Sequence, residues 1–138
     1  MTKEASCIFC KIIAGEIPCH RIYEDENYLA FLDISPISPG HSLVIPKNHS
    51  TDLLHARAQD RSGLLEIVAM VAPKILRVVG ASAFNIGINT GKDSGQVVFH
   101  THVHIIPRSP KDGLKSWENN PNKAADLEKL SQKIRATQ

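Results

Sequence analysis

The chain lacks most of what a secreted, membrane-embedded or nucleic-acid-coating protein is built from. Three cysteines are too few, and odd in number, for a disulfide framework, so a reducing compartment is expected: the cytoplasm first, the nucleus second. Long hydrophobic runs are missing too. The longest apolar region, Leu64 to Val79, is broken by Glu66, Pro73 and Lys74, and no apolar stretch follows the charged start, so neither membrane attachment nor a leader is expected. Aromatic residues are scarce, with four Phe, two Tyr and one Trp, and the net charge is only +2. Both are too low for a surface that tracks a nucleic-acid backbone, which leaves small molecules as the expected ligands.

What is present suffices for one hydrophobic core: 138 residues, 42% of them hydrophobic. A single domain over 1–138 is expected, with its body at about 7–108 and a polar tail at 109–138. Ile8 to Ala14 reads as a short helix stopped by Gly15, with Pro18 preventing its resumption. Ile22–Tyr23 and Tyr28–Leu32 flank a polar stretch and read as a hairpin, followed by a strand at Ser42–Ile45. Between them, Pro36, Pro39 and Gly40 predict an irregular loop. Asp60 or Ser62 is the expected cap of a long helix whose apolar positions Leu64, Val68, Val71, Ala72, Ile75 and Val79 repeat with helical spacing, with a kink or break at Pro73 and an end at Gly80. Phe84–Asn89 and Val97–Ile106 alternate and predict a β-hairpin around residues 90–96, and Ala124–Ile134 predicts a terminal helix with Leu127, Leu130 and Ile134 on one face. The sum is an α+β domain: a five-stranded, mainly antiparallel sheet with flanking helices.

Three of the seven histidines fall at His100, His102 and His104. On a strand all three share one face, while Phe99, Val103 and Ile105 point to the core. Stacked imidazoles gain nothing in packing and repel one another when protonated, so a chemical role is favoured over a solvated strand face or a purely metal-binding row. Neutral imidazole is a nucleophile toward phosphorus, and its N–H donates to phosphate oxygens. The glycines at 91 and 95 permit backbone amides to approach a ligand, although an ordinary turn has the same composition.

Cys7 and Cys10 form a C-x-x-C at the entry to the first helix. That spacing serves either metal binding or disulfide exchange, and spacing alone does not choose. Cys19 has no sequence partner and is expected to be idle; His20 and His55 are expected on the surface.

The string HTHVHII at 100–106 resembles the signature of the histidine triad (HIT) family. CIFCKIIAGEIP at 7–18, YLAFLDISPISPGHSLVIPKNH at 28–49 and GQVVFHTHVHIIPR at 95–108 are similar to its Hint branch. The resemblance implies a HIT-like fold, a homodimer, and hydrolysis of purine nucleoside 5′-phosphoramidates of the AMP-amine or AMP-lysine type. It further implies that His102 attacks the α-phosphorus, that His104 contacts the phosphate and handles protons at the leaving group, and that His41 supports the triad. By the same resemblance Phe9, Ile12, Phe31, Ile34 and Leu43 would line the nucleoside slot, with Asp33 accepting from the ribose hydroxyls. Asn89, Gly95, Gln96 and Val97 would surround the phosphate. Simple core packing is the alternative for the slot residues. Val97 departs from the branch, which often has a hydroxyl residue there, so only its backbone amide is available.

Branch members carrying the same C-x-x-C complete a zinc site at positions that match His49 and His100, which implies a structural zinc on Cys7, Cys10, His49 and His100. No Mg²⁺ requirement is expected where imidazoles and backbone amides stabilise the phosphoryl oxygens. Two rival readings remain: a dinucleoside polyphosphate hydrolase of the Fhit type, with Arg108, Lys92 and Lys111 neutralising the leaving group, and an adenine-nucleotide adaptor with incidental catalysis. Trp117 is the C-terminal residue expected to reach a partner's site if the tail crosses a dimer as in the Hint branch.

Overall fold

A computed structural model describes residues 1–123 and 126–138. Helix α1 spans Ile8–Ile13, and strands β1 (Arg21–Glu24), β2 (Tyr28–Leu32) and β3 (Ser42–Pro46) follow. Helix α2 spans Ala58–Val79, β4 Ala83–Gly87, β5 Val103–Arg108 and α3 Leu127–Ala136. The strands form one sheet in the order β1-β2-β3-β5-β4, with every neighbouring pair antiparallel.

Alternation along the strands divides the core in two. Tyr28, Ala30, Val44, Val103 and Ile105 face α2 and pack with Leu64, Val68, Val71 and Ile75. Leu29, Phe31, Leu43 and Ile45 point the other way and pack with Cys7, Phe9, Cys10 and Ile12. Each sheet face is thus dried by a different helix, as the period-two pattern requires.

Several expectations need correction. Helix α2 starts at Ala58, not at Asp60 or Ser62, and Arg57 occupies the cap position without a side-chain cap bond. The Asp60 carboxylate is spent on Arg57 and Asn48 instead. Pro73 does not break the helix, which runs continuously to Gly80 in the left-handed conformation; Ala72 beside it is fully buried, so packing against the sheet holds the turn together. The expected hairpin at 84–106 is looser: β5 begins only at Val103, and residues 88–102 form a long connection containing a 3-10 turn at Lys92–Ser94. Phe99 therefore leaves the core and is 50% exposed. The terminal helix begins at Leu127, and the expected start at residue 124 lies outside the described residues. Its apolar residues Leu127, Leu130 and Ile134 are exposed.

Candidate active site and metal centre

The register builds the site. Phe31 pairs with Leu43, Leu43 with His104, and His104 with Gly87, so the four stand in one row across β2, β3, β5 and β4 on the α1 side of the sheet. His100 and His102 precede β5 in extended connection, braced by Thr101: its N–H donates to Ser50 O at 2.8 Å, and the Ser50 and Thr101 hydroxyls bond at 2.7 Å. Phe9 of α1 stands edge-on to both rings, at 5.8 Å from His100 and 5.3 Å from His102. His102 and His104 are 5.0 Å apart between centroids.

Backbone groups decide where each imidazole carries its proton. His102 Nδ1–H donates to His100 O at 2.6 Å, which leaves a lone pair on Nε2. His100 Nε2–H donates to Pro46 O at 2.7 Å, which leaves a lone pair on Nδ1. The Ile37 N–H donates to His41 Nδ1 at 3.0 Å, so His41 carries its proton on Nε2 and donates it to His104 Nδ1 at 2.8 Å. His104 consequently presents Nε2–H. Burial holds all four rings below the ordinary imidazole value, His100 and His104 at about 4, with neighbouring histidines adding to the shift of both. All four are neutral at neutral pH. Placing a proton on His104 Nδ1 would set it against the His41 N–H, which is held by Ile37.

His41 also lies 3.6 Å from Asp33, and Asp33, His41 and His104 cluster closely enough to resemble a metal site. The proton order argues otherwise: His41 Nε2 and His104 Nδ1, the atoms that face each other, are spent on their mutual hydrogen bond.

A second cluster suits a metal well. The donor atoms of Cys7, Cys10, His49 and His100 lie within 4.8 Å of one another. Four contacts are 3.2 Å (His49 Nδ1 to His100 Nδ1), 3.4 Å (Cys7 Sγ to His100 Nδ1), 3.4 Å (Cys10 Sγ to His49 Nδ1) and 3.7 Å (Cys10 Sγ to His100 Nδ1). A tetrahedron with zinc–nitrogen and zinc–sulfur bonds of ordinary length has edges of about 3.3 Å between nitrogens and about 3.6 Å between nitrogen and sulfur. The donor set and its spacing fit zinc. Burial pushes the Cys10 thiol up, so metal binding there must displace a proton.

The remaining expected residues are distributed unevenly. Phe9, Ile12, Phe31 and Leu43 share one buried cluster, in which packing alone accounts for their burial. Asp33 is half-buried and Ile34 is 87% exposed beyond it. Asn89, Gly95 and Gln96 lie in the 88–102 connection, where the Gln96 side chain accepts from Gly91 N–H and donates to Thr51 O and Val98 O. Val97 is 84% exposed. Arg108 is committed to Asp112, Asn85 and the Leu114 carbonyl, which folds the tail back. A cavity of about 430 Å³ lies between β4–β5 and that tail, lined by His104, Asn85, Asn89, Ile106, Lys115 and Trp117. Trp117, 96% exposed, thus borders the same cavity as its own chain's His104. Sequence reasoning missed Ile37 and the carbonyls of Pro46 and His100; backbone groups that assign a proton leave no mark in residue identity.

An α+β sheet bearing a proton-ordered histidine row beside a Cys2His2 cluster defines the histidine triad class of protein. The HIT domain family matches residues 14–111, and the chain belongs to that family. It is similar to adenylylsulfatase HINT3 of Arabidopsis thaliana, 39% identical over 96% of this chain and 68% of that protein. It is also similar to adenosine 5′-monophosphoramidase hnt1 of Schizosaccharomyces pombe, 37% identical over 94% of this chain and 96% of that protein. A zinc-bound histidine triad family protein from Mycobacterium smegmatis has a TM-score of 0.77 at 41% identity, over 95% of this chain and 91% of that chain.

Proposed function

We propose that this protein is a nucleotide hydrolase that cleaves purine nucleoside 5′-phosphoramidates through a nucleotidyl-His102 intermediate. The observation that carries the reading is the proton order of the triad: a neutral His102 with its lone pair on Nε2, beside a His104 that offers Nε2–H. His102 Nε2 bonds to the α-phosphorus while the P–N bond of the substrate breaks. Its electron pair leaves with the amine, which takes a proton from solvent and not from His104, the residue expected from the resemblance to handle it, because neutral His104 gives its one N–H to a phosphoryl oxygen. Positive charge develops on the His102 ring, and the bond from Nδ1–H to His100 O strengthens as it does so. Water then attacks phosphorus, the P–Nε2 bond breaks, the pair returns to the ring and a proton goes to solvent, leaving AMP. His104 acts throughout as a neutral donor to a phosphoryl oxygen, aided by the Val97 amide, the Gly95 N–H being spent on Lys92 O, and no step calls for Mg²⁺. His41 keeps His104 in that tautomer.

The row Phe31–Leu43–His104–Gly87 orients the substrate. The purine and ribose belong over Phe31 and Leu43, with Phe9, Ile12 and Ile34 around them and Asp33 receiving the ribose hydroxyls. The leaving group then falls on the opposite side, where Gly87 has no side chain and the cavity by Trp117 opens. Zinc on Cys7, Cys10, His49 and His100 would be structural, tying α1 to the triad segment and keeping the His100 ring neutral. A homodimer through β4 accords with the sheet edge there and with exposed Phe84, Ile86 and Val78. The relatives named as a phosphoramidase and an adenylylsulfatase support nucleotidyl transfer with a small leaving group. The engagement of Arg108 by Asp112 weighs against a polyphosphate leaving group.

Turnover of an AMP phosphoramidate, adenylyl sulfate and a diadenosine polyphosphate tests the reading. The first is expected to be processed best, and His102→Ala to lose more than about 10⁴-fold, beyond the usual loss of an auxiliary acid–base group. Rapid quenching and peptide mass analysis should find the nucleotidyl group on His102. Near-normal turnover by that variant sinks the mechanism, and AMP binding without processing of any substrate points to the adaptor.

A further inference from the structure

We propose that the N-terminal strap Thr2–Glu4 and the buried Asn48–Asp60 pair form an outer clamp on the metal centre, holding the ligand His49 in place and bracing Cys10. The inference rests on the reading of Cys7, Cys10, His49 and His100 as a metal site.

Three of the four donors are fixed from nearby. Pro46 O holds the His100 ring, the Cys10 N–H donates to Cys7 Sγ at 3.4 Å, and Cys10 is buried in the first helix. His49 is only half-buried, and among the described residues its ring bonds only to other members of the cluster. Its position must come from its backbone. The His49 N–H donates to Thr2 O at 2.8 Å, and Thr2 N–H donates to Asn48 Oδ1 at 2.6 Å, so Thr2 is tied to residues 48 and 49 by one backbone bond and one side-chain bond.

Asn48 completes the chain of contacts inward. Its Nδ2 donates to Asp60 Oδ2 at 3.0 Å, and that carboxylate, 4% exposed, also takes Arg57 Nε and Nη2 at 2.8 and 3.0 Å. Only one orientation of the amide satisfies both neighbours, because Thr2 brings a donor and Asp60 an acceptor. A buried carboxylate is costly unless its bonds are made, and here they run from the first turn of α2 through Asn48 and Thr2 to His49. Farther along the strap, Glu4 N–H points at Cys10 Sγ at 3.5 Å, and Glu4 O accepts from Cys7 N–H at 3.1 Å. A surface cavity of about 370 Å³ is lined by Lys3, Glu4 and Ala5 of the strap together with Cys10, so the strap borders the opening that reaches this ligand. Outer-shell partners of this kind orient ligands and slow exchange.

The test compares zinc affinity and zinc release in the full chain by competition with a chromophoric chelator, alongside the thiolate-to-cobalt absorption of the Co²⁺ form. Glu4→Pro removes the N–H aimed at Cys10 Sγ, Glu4→Gln keeps it together with the side-chain oxygen that accepts from Ser6, and Asn48→Ala cuts the link to Asp60. Glu4→Pro and Asn48→Ala are expected to weaken zinc binding roughly 10- to 100-fold and to speed its release. Glu4→Pro should also shift the cobalt absorption, while Glu4→Gln, which keeps the acceptor for Ser6 N–H and hydroxyl, stays within twofold of wild type. Should Asn48→Ala fail to fold, Glu4→Pro, at an exposed position, decides alone. Wild-type protein that takes up no zinc overturns the metal reading and the clamp together. Zinc-binding wild type with Glu4→Pro and Asn48→Ala affinities within twofold of it overturns the clamp only.

Discussion

The three triad histidines are chemically alike in sequence and differ in structure because different backbone groups hold them. Pro46 O gives His100 a free Nδ1, His100 O gives His102 a free Nε2, and Ile37 N–H acting through His41 gives His104 a free Nε2–H. Long-range ¹H–¹⁵N correlation spectra of the resting protein should therefore show His102 as the Nδ1–H tautomer and His104 as Nε2–H. In His41→Ala the Ile37 amide and His104 Nδ1 lose their partners. The His104 ring should then populate both tautomers, and its pKa should rise from about 4 as the neighbouring His41 is removed. Turnover should fall about 10- to 100-fold with little change in KM, less than the loss of a group that itself transfers a proton. A single His104 tautomer, unchanged by the substitution, would show that His41 does not set it. The period-two spacing was legible in the residues themselves, whereas the set Cys7, Cys10, His49 and His100 was legible only through the resemblance to the Hint branch, because C-x-x-C spacing serves metal binding and disulfide exchange alike. The proton order was not, since carbonyls and amides are common to every residue.

At the scale of the element, the sequence was read well where burial follows a period and poorly where a single side chain has two possible employers. The hairpin β1–β2, strand β3 and the apolar stripe of α2 from Leu64 to Ile75 lie as their patterns require, while Val79 at the end of the stripe is exposed. Asp60 looked like a helix cap, yet it bonds to Asn48, 12 residues earlier and invisible to a local pattern. The triad strand looked continuous from Val97, but Thr101 is drawn onto Ser50, and regular pairing starts only at Val103 opposite Val44 of β3 and at His104 opposite Gly87 of β4. Gly63 shows the same interplay. Alanine in place of a helical glycine ordinarily gains about 1 kcal/mol. Here a Cβ would run into the Tyr28 ring and hydroxyl, which donates to the carbonyls of Gln59 and Asp60 at the start of α2. Gly63→Ala is expected to lower stability in urea by about 1–3 kcal/mol. Tyr28→Phe in that background should recover part of the loss by removing the nearest atom. A stability equal to or above wild type would mean that α2 shifts to admit the methyl.

For the whole molecule, four neutral rings in one site make folding sensitive to acid. His41, His100, His102 and His104 all have folded pKa values below the ordinary 6.5, two of them at about 4. In the unfolded chain the same rings take up protons near 6.5, so below that pH the unfolded state binds more protons than the folded one. Stability is therefore fully present above pH 6.5 and is lost as pH falls toward about 4. For His104 alone, the difference between pH 7 and pH 5 is about 2 kcal/mol, a sizeable part of the roughly 5–15 kcal/mol typical of a domain. The ion-paired carboxylates do not confuse this window, since partners such as Arg108 beside Asp112 and Lys47 beside Glu24 hold them low and their loss comes below about pH 4.5. Zinc at His100 would oppose the protons, so chelated protein is the material to use. Its Tm is expected to fall by roughly 5–10 °C from pH 7 to pH 5. His104→Asn removes one of the titrating rings and should reduce the pH dependence of stability by about one proton, whatever its effect on stability at pH 7. Equal melting temperatures at the two pH values would show that the rings take up as many protons in the fold as in the unfolded chain, so that burial does not hold their pKa values below 6.5.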